Sequence, residues 1–184
     1  MRNISFGTTF LLAFTLLLPL TSSAYTSTKQ TAIQLSEQRS VYMIEFAFGT
    51  RFNDFYIPIR AVKDVPYNSE RDVLGYSVIA DRTRIAQEVE TRSMVISNLE
   101  VVDNTFYRIP AGQSGVLTLV TEVVVPTDIP DSEYLVQVNS LPHYVGEDRD
   151  RRTVNSVELR NFISPGIDMN IPLQIKDGIF VKAF

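Results

Sequence analysis

Apolar side chains recur at every second position over much of the chain, the period of a β-strand with one buried face. In residues 41–48, Tyr42, Ile44, Phe46 and Phe48 fall on one side and Val41, Met43, Glu45 and Ala47 on the other. The first side reads as core and the second as partly wet. Residues 115–126 give the clearest strand. There Leu117, Leu119, Thr121, Val123 and Val125 alternate with Val116, Thr118, Val120, Glu122 and Val124. Both sides are largely apolar, as expected of a central strand held between two layers. Further strands are expected over 55–62, 73–80, 93–102, 105–109, 133–141, 153–162, 167–175 and 179–184. Pro58 makes 55–62 an edge or bulged strand, because proline has no N–H to give a ladder.

Turn chemistry separates these runs. Residues 49–54, Asp103-Asn104, Pro110-Ala111-Gly112, 127–132, Ser164-Pro165-Gly166 and Lys176-Asp177-Gly178 read as turns. Residues 63–72 and 142–152 read as polar loops. The segment Asp81–Arg92 fits either a short helical turn or a charged strand pair. About seven to nine short strands, spaced by roughly ten residues, predict an all-β protein built as a β-sandwich. No interior linker, repeat or low-complexity tract divides it.

The N-terminus changes the picture. Arg2 precedes an apolar run over 10–20, and Ser22-Ser23-Ala24 follows, the three parts of a secretory signal peptide cut after Ala24. A retained anchor would need about 20 apolar residues, and Thr15 and Pro19 interrupt this run. The expected organisation is a signal peptide over 1–24 and one β-sandwich domain over 25–184. The destination is the periplasm, the cell surface or the medium, with no membrane insertion after cleavage. The chain has no Cys, so the domain must hold by its core, and no Asn-x-Ser/Thr sequon follows residue 24. In an exported chain, both features point to a bacterial origin. The net charge of −4, one unit more negative without Arg2, gives no broad attraction for nucleic acid or anionic lipid.

Two segments carry a resemblance. Tyr107-Arg-Ile-Pro-Ala-Gly-Gln-Ser-Gly-Val-Leu-Thr-Leu-Val-Thr-Glu-Val-Val-Val125 resembles the strand-and-turn step of bacterial exported immunoglobulin-like modules. Ile129-Pro-Asp-Ser-Glu-Tyr-Leu-Val-Gln-Val138 resembles a step of fibronectin type III-like sandwiches. Together they cover about a fifth of residues 25–184 and lack the Cys and Trp of antibody domains. The likeness implies an immunoglobulin-like sandwich, with Tyr134 making a corner hydrogen bond to the preceding turn. It implies no activity. The segment 42–49 with 55–59 is also similar to secreted proteins of small-genome bacteria.

Candidate chemistry is sparse. His143, the one histidine, reads as an ordinary loop residue, since it has no Cys or second His with which to build a zinc site. Glu147, Asp148 and Asp150 could offer oxygen ligands to calcium. The neighbouring Arg149, Arg151 and Arg152 compete for them, and a solvated charged loop is expected. Asp128 and Asp131 read as turn formers. Gly112-Gln-Ser-Gly115 falls short of a nucleophile elbow and lies between strands. Tyr56, Tyr67, Tyr76, Phe106, Tyr107 and Tyr144 could line a carbohydrate or peptide surface, or simply pack their rings. Residues 178–184 could pair with a neighbour's edge or complete their own sheet.

No cofactor or metal is expected. The sequence suggests a non-catalytic binding, adhesion or surface-assembly module meeting a protein or envelope glycan, or its own edge strands. A cell-envelope hydrolase of wall sugar or peptide is the alternative, and it would need a cleft with two carboxylates about 5–10 Å apart. If the leader is read correctly, Edman sequencing of the exported protein gives Tyr-Thr-Ser, starting at Tyr25. A start at Met1 would contradict it.

Overall fold

The computed structural model describes residues 23–127, 132–154, 156–169, 173–176 and 179–182. Within them the chain is nearly all strand. A long hairpin opens it, β1 (Ser23–Ser36) and β2 (Arg39–Thr50). Then come β3 (Phe55–Pro58), β4 (Ala61–Lys63), β5 (Leu74–Ala80), β6 (Arg84–Ile85), β7 (Glu90–Ser97), β8 (Glu100–Val102), β9 (Phe106–Ile109) and β10 (Ser114–Val124). The rest are β11 (Glu133–Ser140), β12 (Pro142–Val145), β13 (Asp150–Thr153), a one-turn helix α1 (Ser156–Leu159), β14 (Ile167–Asp168), β15 (Leu173–Lys176) and β16 (Ile179–Lys182).

Three main sheets result. Sheet A runs β1-β2-β10-β7, sheet B runs β13-β12-β3-β9-β8, and sheet C runs β14-β11-β5-β4 with β6 on β5; β15 and β16 pair with each other. All described pairings are antiparallel except β4 with β5. Sheet A lies across sheets B and C, and the core fills the space between. Its central rows come from β2 (Tyr42, Ile44, Phe46, Phe48) and β10 (Leu117, Leu119, Val123), all at most 2% exposed. These residues have the period-two spacing read from the sequence, and each contributes about 1.5–3 kcal/mol by leaving water.

Polar groups in the core are spent on joining layers. The Tyr42 hydroxyl donates to the Tyr134 carbonyl at 2.9 Å, and the Tyr76 hydroxyl donates to Thr91 Oγ1 at 2.9 Å. Both tie sheet A to sheet C. The Tyr107 hydroxyl donates to the Val95 carbonyl at 3.0 Å, and the rings of Phe48 and Phe55 sit 5.8 Å apart. Both tie sheet A to sheet B.

Several expected strands are cut. Residues 55–62 divide at Pro58 into β3 and β4, which belong to different sheets. Pro58 has no N–H, and the ladder with β12 stops at Tyr56. The chain then crosses over, with Ile59 N–H bonded to the Thr105 carbonyl at 3.0 Å. Residues 93–102 divide into β7 and β8. The expected loop 142–152 is instead the hairpin of β12 and β13.

Residues 153–162 are a strand only as far as Thr153. Beyond it α1 forms, because Leu159 and Phe162 reach the core at helical spacing while Val157 is 67% exposed. Phe162 meets Phe46 edge-on at 5.1 Å.

Asp81–Arg92 resolves toward strand. Asp81 and Arg82 take φ of 51° and 64°, and Thr83 N–H bonds the Ala80 carbonyl at 3.2 Å. That two-residue turn with both central φ positive is the hairpin type whose twist matches its strands, and it folds β6 onto β5. Asp103 and Asn104 repeat it between β8 and β9, at φ 55° and 52°. The turn 128–131 and the corner bond expected of Tyr134 to it lie outside the described residues. Tyr134 itself is fully buried.

Gly75 is the tightest point of sheet C. It sits beside the register shift between Val138 and Ser140, and a Cβ there would lie 2.7 Å from Val65 Cβ and 3.1 Å from Ser140 Cβ. Neither is the free end of a flexible chain. Gly75→Ala is therefore expected to destabilise the fold by about 1–3 kcal/mol, read as a lower urea midpoint at unchanged slope. An unchanged midpoint would show that the neighbourhood yields.

Candidate functional site

His143 is on β12, facing inward, and not in a loop. It is 3% exposed, and its ring stacks on Phe55 at 4.6 Å with 19° between planes. Burial pushes its pKa down to about 4; a hydrogen bond with the Leu141 backbone opposes this, and the charge of Arg152 adds to it. A neutral, enclosed imidazole stacked on a phenyl ring is a core residue.

The acidic loop is the turn 146–149 of the β12–β13 hairpin. Glu147, Asp148 and Asp150 are exposed there. Arg149 turns back, its φ at 52°, to place its guanidinium 4.9 Å from the centre of the Tyr56 ring and 5.6 Å from that of Phe106. It also donates to Asp103 at 2.5 Å. Among the described residues, no three His, Cys, Asp or Glu side chains converge as a metal site requires. Ser114 opens β10 after the Pro110-Ala111-Gly112 turn, where Gly112 has φ 77°, so strand follows turn follows strand.

The six aromatics do not form one surface. Tyr76 and Tyr107 belong to the core between the sheets. Tyr56, Phe106 and Tyr144 form a second buried cluster on the outer side of sheet B, with Phe106 edge-on to Tyr144 at 5.0 Å. Arginines close it: Arg149 lies over the rings, and Arg151 bonds the Ser69 carbonyl at 2.7 Å. The Tyr144 hydroxyl donates to Asp72, and burial, with that carboxylate second, pushes its pKa up to about 12.

Tyr67 stands apart, 43% exposed, beside a groove of about 330 Å³ on the outer side of sheet C. Gln137, Asn139 and Ser77 line it with Ile79 and Ile85. The Asn139 amide donates to Ser77 Oγ at 2.6 Å and to the Val65 carbonyl at 3.3 Å. No carboxylate lines this groove, so it assembles no acid–base pair.

Asp54 does structural work in the turn after β2. It accepts from the Ala111 N–H at 2.9 Å and from Arg108 at 2.8 Å. The backbone bond first, and the guanidinium after it, hold its carboxyl below the usual range.

The feature the sequence reading missed is the outer side of sheet A. Both sides of β10 are apolar, as noted, but only one side meets a layer among the described residues. The cross-strand register sets Thr31, Met43, Val120 and Met94 in one row, with Ile33 and Val41 above and Thr118 and Ile96 below. Ile33, Leu35, Met94, Ile96 and Val116 are 41–59% exposed. They are half of the ten exposed large apolar side chains among the described residues. Such a contiguous apolar face on a folded domain marks an interaction surface. The only sequence signal was the apolar run Met94-Val95-Ile96, which puts Met94 and Ile96 on the side away from Val95.

Charged residues stand in the rows on either side of this middle row. Lys29 is opposite Glu45 on one side, with Ala47 and Val116 beyond. On the other, Glu122 is opposite Arg92, with Glu90 beyond, and Arg39 Nε bonds Glu122 at 3.1 Å. No helix among the described residues is long and apolar enough to cross a membrane. No family model matches the chain, and no curated protein does either.

Because His143 is neutral when folded and ordinary when unfolded, the unfolded chain takes up its proton first as pH falls. The stability it allows is complete above the unfolded pKa of 6.5 and declines toward pH 4, by on the order of 3 kcal/mol. His143→Phe keeps a ring on Phe55 and is expected to flatten this slope in urea denaturation between pH 4 and 6.5. An unchanged slope would place the titration elsewhere.

Proposed function

We propose that this chain is a non-catalytic, extracytoplasmic binding or surface-assembly module whose working surface is the outer side of sheet A. The observation that carries this reading is the belt of Met43, Val120 and Met94 with its flanking Ile33, Val116 and Ile96. Its middle row is apolar, and it is set on a two-layer scaffold. A sheet gives such a face a fixed shape, since each side chain is held by its strand's register. The export leader and the immunoglobulin-like resemblance support the same reading. Modules of that architecture present sheet faces, edges and loops, not deep clefts, to their partners.

The partner is a protein or an envelope glycan met across this flat surface. Isolated envelopes of the producing cell should retain the wild-type protein on sedimentation. Ile96→Glu and Val116→Glu are expected to cut the retained fraction about tenfold, as charge in the centre of an interface does. Val157→Glu, at a 67% exposed position on α1, should leave it unchanged. Retention indifferent to all three substitutions removes this face from the function. Release of wall sugar or peptide by the purified protein replaces the reading with a hydrolase.

A further inference from the structure

We propose a second binding site, independent of the sheet A face: the groove on the outer side of sheet C takes an uncharged sugar residue of a glycan.

The register builds the groove from two adjacent rows. Gln137 on β11 stands opposite Ser77 on β5, and Ile79, next on the same side of β5, stands opposite Ile85 on β6. The first row is polar and the second apolar. Asn139 extends the polar side, and Tyr67, in the loop after β4, borders the groove at 43% exposure. None of the residues lining the groove is charged, although 21% of the chain is. A charged ligand therefore meets no counter-charge there.

The hydrogen-bonding groups are unevenly spent. The Ser77 hydroxyl donates to Asp64 Oδ1 at 2.9 Å and accepts from the Asn139 amide at 2.6 Å. That amide also donates to the Val65 carbonyl at 3.3 Å. Two donated bonds fix the orientation of Asn139, and its oxygen accepts nothing among the described residues. The Gln137 amide bonds none of the described residues and is not sealed from water. The groove thus offers a fixed acceptor and an unspent amide beside an aliphatic row and a tyrosine ring. A pyranose ring is complementary to that set. Its hydroxyls donate and accept, and its C–H face packs on aliphatic or aromatic surface.

A peptide strand fits less well. It is held by backbone bonds to a free sheet edge, and the strands under the groove have none to give. β5 lies between β11 on one side and β4 and β6 on the other. On β11, Val138 N–H bonds the Phe162 carbonyl, and the Val136 carbonyl accepts from Ser164 N–H. The groove volume of about 330 Å³ is at the small end of ligand sites, roughly 300–1,000 Å³. That suits one ring, not a long segment.

Nitrogen–proton correlation spectra of the exported protein, titrated separately with maltotriose and with tri-N-acetylchitotriose, test this. Both sugars are uncharged. One or both should shift the backbone amides of Tyr67, Ser77, Ile79, Ile85, Gln137 and Asn139, with a dissociation constant of about 1 mM, the strength of a one-ring contact. Gln137→Leu, which removes an amide that no described residue uses, and Tyr67→Ala should each weaken binding about tenfold. Phe52→Ala, 64% exposed in the turn before β3, should leave it unchanged, and circular dichroism should show all four proteins folded alike. Groove amides that ignore both sugars at about ten times that constant overturn the proposal, as does binding that Gln137→Leu leaves intact. Shifts confined to Met94, Ile96 and Val116 give the sugar to the sheet A face and also overturn it. An uncharged, end-blocked alanine peptide that shifts the groove where both sugars fail assigns it to peptide instead. Envelope retention of Ile96→Glu and Val116→Glu reads the sheet A face alone, so either site can fail without the other.

Discussion

The structure depends on the strictness of two-residue alternation in β2 and β10. With no cysteine to staple it, the domain gains its stability by turning Tyr42, Ile44, Phe46 and Phe48 inward beside Leu117, Leu119 and Val123. Alternation couples the two sides of a strand. Whatever stands at the intervening positions is presented outward in a fixed pattern, and a slip of one residue would exchange the two sets. The outer face of sheet A is therefore as well defined as the core. Its Met43, Val120 and Met94 are held in a row by the same ladder that buries Ile44, Leu119 and Val95.

That coupling explains what could be read from the chain. The fold class was legible, because alternation and turn residues are local signals. The core side of β2 was legible for the same reason, as was the Asp103-Asn104 turn, whose residue types tolerate positive φ. The breaks were not legible. Whether 55–62 continues past Pro58 depends on which strands stand beside it, and the β12 residues it pairs with come from 88 and 90 positions away in sequence. The helical turn of α1 was hidden because Val157 and Leu159 alternate like a strand, and only tertiary packing, α1 on β11 and Phe162 on Phe46, shows that Leu159 and Phe162 are the buried pair. His143 looked like a loop residue because its flanks are Pro142 and a run of charges, but those charges belong to a hairpin whose β12 is a strand of sheet B and turns it inward. The apolar outer row of β10 was read as buried, since periodicity reports that a side is apolar and not whether anything lies on it.

Two outer faces of the same domain are finished in opposite ways. On sheet B, Tyr56, Phe106 and Tyr144 are covered by the chain's own guanidinium groups. Arg149 is brought over the rings by its positive φ and is fixed by Asp103. Aromatic rings attract a cation through their faces, and each polar edge finds a partner, so this side is satisfied within one chain. On sheet A the apolar outward residues are aliphatic or thioether. They offer a cation nothing, and Arg39 is instead spent on Glu122 at the margin. Arginine can seal an aromatic face but not an aliphatic one, which only another apolar surface can dry.

This difference bears on why an acidic chain would keep such a surface. An exposed aliphatic sheet is an aggregation hazard, and proteins blunt it with charge at the centre or along the edge. Here charges of both signs stand beside one apolar row, Lys29 with Glu45 on one side and Glu122 with Arg92 on the other, and only that row is left bare. Pairs of that kind contribute little as stability, for exposed ion pairs are worth about 0–1 kcal/mol. What they do is remove any net field from the face. A surface selected only against association would carry like charges in the Met43–Val120–Met94 row, where a single acid would suffice. Leaving that row apolar, and balancing the charges beside it to zero, is an arrangement that gives a partner an apolar contact without a net field to oppose it.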